Sequence, residues 1–161
     1  MTMTSGTETS HILFVCRGNL CRSPMAMALL RYRLGNTKGA ADVAVDSAGY
    51  CDFGLFSREA HPFARRAVSE LCGQDLLANH VARQWTQEMV DLASAVVVAE
   101  SWMCSDFPAG KVMTMRELAG ETGDVADPYG GAYETYVRCA RDLDRLITAG
   151  WPRRVESAGG R

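Results

Sequence analysis

His11–Leu30, HILFVCRGNLCRSPMAMALL, is the stretch that decides the fold. Ile12 to Val15 is a short apolar, partly β-branched run bounded by a polar segment, which reads as a buried strand. Cys16 to Pro24, CRGNLCRSP, follows it, and Met25 onward is built of good helix formers. Ser23 suits an N-cap and Pro24 the first helical position, where its missing N–H costs nothing. The local plan is strand, tight loop, helix N-terminus. Such a loop turns backbone N–H groups toward one point, backed by the positive end of the helix dipole, and so suits a tetrahedral oxyanion.

The loop residues add chemistry to that cradle. Cys16 stands where the strand ends, and the N–H dipoles with Arg17 and Arg22 nearby favour a thiolate nucleophile. Arg22 can fold back and grip two phosphoryl oxygens with its planar fork. Gly18 and Asn19 are types that accept left-handed backbone angles. Ser23 can alternatively donate a hydrogen bond to the Cys16 sulfur. Nucleophile, cradle and clamp together point to phosphoryl transfer through a phosphocysteine. Competing readings fit less well. A zinc site needs a second Cys/His pair at ligand spacing, and a nucleotide loop needs Gly-Lys-Ser/Thr at its end. An inert core thiol beside a surface arginine would not require the whole Cys16–Pro24 string after a strand.

Val15-Cys-x-Gly-Asn-x-Cys-Arg-Ser-Pro24 resembles the signature of the low-molecular-weight protein tyrosine phosphatase family, including its arginine-phosphatase and arsenate-reductase branches. Asp46-Ser-Ala-Gly49, His80-Val-Ala-Arg-Gln84 and Asp127-Pro-Tyr-Gly-Gly131 continue the resemblance, which runs from about Ile12 to Ile147. It implies a phosphatase with Cys16 as nucleophile, Arg22 as phosphate clamp and Asp127 as general acid and base. Arg17, Gly18, Asn19, Leu20, Cys21 and Ser23 complete the phosphate loop. Asp127 sits in a turn fixed by Pro128, and Asp124 is the fallback acid. Tyr50, Phe53, Phe56 and Tyr129 are candidates for the wall of a slot, with loop packing as the plainer explanation. The chemistry calls for no metal and no cofactor.

The resemblance implies a phosphorylated protein or peptide as partner, a bacterial tyrosine kinase or its targets included. Phosphoarginine proteins and phosphorylated small molecules are the alternative substrates. In the family the residue before the second loop cysteine is typically bulky and apolar in tyrosine phosphatases and Thr in arginine phosphatases. Leu20 therefore favours phosphotyrosine, while the short Pro-Tyr-Gly-Gly loop after Asp127 favours the arginine or arsenate branches. Arsenate reduction would need a closely spaced redox pair downstream, and none follows Cys21. His61-Pro62 stands where many relatives have Asp-Pro, and Met27 where many carry an acid. Cys16 and Cys21 bracket a tight loop, so peroxide is expected to join them reversibly and make the protein redox-sensitive; simple packing of Cys21 is the alternative.

The rest of the chain agrees with one domain. Its 161 residues give room for a core, and a net charge near −2 gives no reason to expect nucleic acid or an anionic membrane as partner. The expected organisation is a leader over 1–10, the phosphatase domain over 11–150 and a tail over 151–161. Six irregularly spaced cysteines read as reduced cytoplasmic thiols, in a monomer or weak dimer. Further strands are expected at 42–49, 95–99 and 111–115, with helices at 24–34, 62–71 (or to 72), 86–93, 101–106 and 132–148. This alternation predicts an α/β fold of three layers, α/β/α, around a parallel sheet of about four strands, with the phosphate-binding loop after the first. Ligands of such sheets lie outside the C-terminal ends of the strands.

Overall fold

A computed structural model describes residues 10–36, 42–52 and 57–150. The expected leader, apart from Ser10, and the expected tail lie outside the described residues, as do Phe53 and Phe56. The strands are β1 (Ser10–Cys16), β2 (Val43–Gly49), β3 (Ala95–Val98) and β4 (Val112–Thr114). They form one sheet in the order β2-β1-β3-β4, with every pair parallel. The helices are α1 (Arg22–Gly35), α2 (Pro62–Cys72), α3 (Gln87–Leu92) and α4 (Tyr133–Gly150), with short 3-10 turns at Ser101–Asp106 and Arg116–Ala119.

Alternation along β1 builds both faces of the sheet. Ile12, Phe14 and Cys16 join one buried cluster with residues of α1, α2 and α4, while Leu13 and Val15 join another with Val90, Met103 and Phe107. Val96 to Val98 are fully buried, as a central parallel strand covered on both faces requires. On α4, Tyr136, Cys139, Ala140, Leu143, Leu146 and Ile147 form a buried stripe. Arg22 to Leu30 of α1 are all buried, because that helix is enclosed by the sheet and by α2 and α4.

The chain steps from β1 outward to β2 and then returns past β1 to β3. The loop leaving β1 therefore opens where neighbouring connections diverge in opposite directions, at the crevice such sheets offer to ligands. Two caps fix the surroundings. His61 Nδ1 accepts from Phe63 N at 3.1 Å to start α2, and Thr86 accepts from Met89 N at 3.2 Å to start α3. Gln84 makes an isolated parallel bridge to Gly49. One local expectation is corrected. Helix α1 starts at Arg22 with Cys21 as N-cap, so Ser23 lies inside the first turn and its hydroxyl is not a cap.

Candidate active site

The Ser23 hydroxyl goes to the loop instead. Its Oγ is 3.0 Å from Cys16 Sγ, accepts from Asn19 Nδ2 at 2.8 Å, and donates to the Ala48 carbonyl at 3.3 Å. Asn19 takes the left-handed conformation expected in this loop, with φ 62°, and is completely buried. Its side chain also donates to Ser47 Oγ at 2.9 Å and accepts from Arg83 N at 3.1 Å. The His80 ring bonds the Asn19 carbonyl at 2.9 Å through Nε2. Gly49 lets the loop pass close to the end of β2, since a Cβ there would stand 2.9 Å from the Gly18 carbonyl carbon. Behind the loop, every polar group of Asn19's side chain is satisfied.

The front of the loop is different. Cys16, Arg17, Gly18, Leu20, Cys21, Arg22, Asp127 and Tyr129 line a pocket of about 300 Å³. None of the backbone N–H groups of Gly18 to Cys21 donates to a described residue. Arg22 is only 1% exposed, yet its Nε has no hydrogen-bond partner. Leaving a buried donor unmade costs about 1–3 kcal/mol, more for a charged group, so the arrangement favours an incoming oxyanion. The rest of the guanidinium is fixed: Nη1 donates to Val125 O at 2.6 Å and pairs with Glu100 at 2.9 Å, and Nη2 lies 3.5 Å from Asp127. Asp127 is about one-third exposed at the mouth, where its Oδ1 accepts from Tyr129 N at 3.1 Å and closes the Asp-Pro turn.

Glu100 is the residue that sequence reasoning missed. It stands two residues past the end of β3, at the ligand end of the sheet, and that placement was the available signal. Arg17 donates to it through Nε and Nη2, each at 2.9 Å, and Trp102 Nε1 donates at 2.7 Å. Burial would raise its pKa, but hydrogen bonds from Arg17, Trp102 and Arg22 win and bring it down to about 2. Glu100 is thus a fixed anion that orients both loop arginines.

The remaining candidates separate. Tyr129, exposed at the pocket mouth, meets the edge of the His61 ring with centroids 5.8 Å apart; His61 in turn stacks on Tyr136 at 4.7 Å. Tyr50 does not line the pocket: its ring meets Trp102 edge-on and its hydroxyl bonds Asp106. Asp124 accepts from Ser101 N at 2.7 Å, which occupies it away from the pocket. Cys21 lies beneath the loop with Sγ 3.8 Å from the Tyr136 hydroxyl, and burial pushes its thiol up to about 12. A thiol so held is a poor attacking group at neutral pH. Arg83 forms a salt bridge, 3.1 Å from Asp46.

The family model for low molecular weight phosphotyrosine protein phosphatase matches residues 11–158. A protein-arginine-phosphatase of Geobacillus stearothermophilus is 39% identical, over 85% of this chain and 90% of its own. A low molecular weight protein-tyrosine-phosphatase of Staphylococcus haemolyticus is 28% identical, over 85% and 94% respectively. Among solved structures, a low molecular weight protein tyrosine phosphatase from T. tengcongensis superposes with a TM-score of 0.78 at 31% identity, covering 88% of this chain and 97% of that one. A parallel sheet that delivers a Cys-x5-Arg loop to its ligand end, and a family match across nearly the whole chain, lead to one assignment: the chain belongs to the low molecular weight phosphotyrosine protein phosphatase family.

Proposed function

We propose that this phosphatase hydrolyses phosphotyrosine in proteins or peptides through a phosphocysteine at Cys16. The observation that carries the reading is the pairing, in one pocket, of a cysteine with a buried arginine whose Nε lacks a partner. Three phosphoryl oxygens meet Arg22 and the free N–H groups of the loop, donors fixed before the substrate arrives. Cys16 Sγ attacks phosphorus, so that an S–P bond forms as the bond to the phenolic oxygen breaks. Asp127 gives its proton to that oxygen and tyrosine leaves. Water then attacks the phosphocysteine, Asp127 takes the water's proton, and the thiolate departs with inorganic phosphate released. The Ser23 hydroxyl, 3.0 Å from Sγ, can turn its one proton from the Ala48 carbonyl to the departing thiolate.

Leu20 favours tyrosine over arginine as the phosphorylated residue. It lines the pocket and is half-buried, so it offers a phenyl ring apolar contact and a guanidinium nothing. A second reading, phosphoarginine hydrolysis, draws on the arginine phosphatase at 39% identity and the short loop after Asp127. Six free cysteines support work in a reducing compartment such as the cytoplasm, on a tyrosine kinase or its targets.

Kinetics on matched phosphotyrosine and phosphoarginine peptides test the choice. Phosphotyrosine is expected to give the higher kcat/KM, and Leu20→Thr to move the ratio toward phosphoarginine by about 1–3 kcal/mol. Faster wild-type turnover of phosphoarginine would replace the substrate assignment with the second reading.

A further inference from the structure

A second cavity, of about 390 Å³, opens beside the supports of the loop and shares no lining residue with the catalytic pocket. Its polar side is built by Arg31 of α1 and Arg83, both about half exposed. Their Nη2 atoms converge on one oxygen, Asp46 Oδ1, at 3.4 and 3.1 Å. Two cations thus share a single carboxylate oxygen, and Arg31 is anchored besides by the Val45 carbonyl, to which its Nε donates at 2.9 Å and its Nη2 at 2.5 Å. The other acid of the cavity, Asp75, is engaged by Arg65 at 2.7 Å. His80 adds no charge at neutral pH, because burial lowers its pKa. The local sum is one positive charge facing the cavity, whose floor carries the apolar side chains of Met27 and Leu76.

We propose that this cavity is a second anion site, separate from catalysis, that takes a small organic phosphate as its dianion. The phosphate group would sit between Arg31 and Arg83 and its apolar body on Met27 and Leu76. Exposed ion pairs are worth about 0–1 kcal/mol each, so exchanging the Asp46 oxygen for ligand oxygens costs little. A dianion offers each arginine its own oxygen, at the guanidinium nitrogens that the Val45 and Ser47 carbonyls do not hold, which one shared carboxylate oxygen cannot do. Arg83 also binds the loop through its backbone N–H to Asn19, and its Nε reaches Ser47 O at 3.4 Å. Occupancy would therefore register at the base of the phosphate loop.

Backbone-amide NMR on the full chain tests this, with phenylphosphonate as the probe and vanadate at one equivalent, enough to fill the catalytic pocket without competing for a second anion site. The amides of Asn79, His80 and Val81 are expected to shift saturably with the probe. Arg31→Gln and Arg83→Gln should each weaken that binding about tenfold, and benzoate, a monoanion, should bind more weakly than the phosphonate. Asp46→Asn, which removes the competing carboxylate, should tighten it several-fold. The absence of a saturable shift at Asn79–Val81, or weaker phosphonate binding in Asp46→Asn, would overturn the proposal. Shifts confined to residues 17–22 when vanadate is omitted would leave the catalytic reading standing and remove this one.

Discussion

The phosphate loop has two sides, and they are built on opposite rules. Behind it, buried Asn19, Ser23 and Ser47 and half-buried His80 form a network in which the Asn19 side chain uses both donors and its acceptor. In front, a buried guanidinium keeps one N–H unpartnered and the N–H groups of Gly18 to Cys21 bond no described residue. Native proteins satisfy nearly all buried polar groups. The saturated side therefore reads as scaffold and the unsaturated side as the place where chemistry occurs. Residues of the two sides should accordingly fail in different ways when replaced.

The front should fail in rate. Asp127→Ala is expected to slow substrates with poor leaving groups by about 10²–10⁴ while leaving the folding midpoint unchanged. Aryl phosphates with activated leaving groups should lose much less, because their phenolates depart without a proton. A series of such esters of graded leaving-group pKa checks this; equal slowing across it would remove Asp127 from the acid role.

The back should fail in stability first. Asn19→Ala deletes hydrogen bonds to Ser23, Ser47 and Arg83 and places a side chain with no local hydrogen bond at φ 62°. Urea unfolding should show a loss of about 1–3 kcal/mol, with turnover falling as the loop loses its shape. Asn19→Gly sharpens the test, since it relieves the backbone while losing the same bonds, and should recover only part of the loss. An unchanged midpoint in both variants would contradict the scaffold reading.

Glu100 joins the two behaviours, and its smallest effect is confined to acid. Its folded-state pKa, about 2, lies below the ordinary 4.5, so the unfolded chain binds the proton more readily. The stabilisation is complete above about pH 4.5 and is lost as the pH falls through about 2. The stability gap between wild type and Glu100→Gln should narrow over that window, as urea unfolding at stepped pH would show. A gap that stays constant down to about pH 2 would mean that the Arg17 and Arg22 contacts do not hold the charge on Glu100.

Much of this arrangement is legible in the chain, for identifiable reasons. Continuous apolar runs at Ile12–Val15 and Ala95–Val98 mark strands because parallel strands are buried on both faces. The Cys16–Pro24 string is legible because a loop around an oxyanion admits few residue types. Glu100 was not, since its meaning depends on β3 lying beside β1 and bringing residues 83 positions apart into contact. Ser23 carries two readings in the sequence, helix cap or partner of the Cys16 sulfur, and tertiary demand from Cys16 and Asn19 selects the second. Tyr50 is aromatic and close in sequence to the site, yet Trp102 and Asp106 draw it elsewhere. Local pattern reveals the loop, whereas the charges that orient it come from distant segments.

The central claim is that Cys16 carries the phosphoryl group during turnover. Rapid acid quench of the enzyme with a phosphotyrosine peptide, followed by mass spectrometry of the digest, tests it directly. The account predicts a phosphoryl adduct on the peptide containing Cys16, enriched in Asp127→Ala with an activated ester because hydrolysis of the adduct needs the base. Cys16→Ser should abolish turnover, since losing such a nucleophile costs about six orders of magnitude in comparable enzymes. An adduct on another residue, or sustained turnover by Cys16→Ser, would contradict the account.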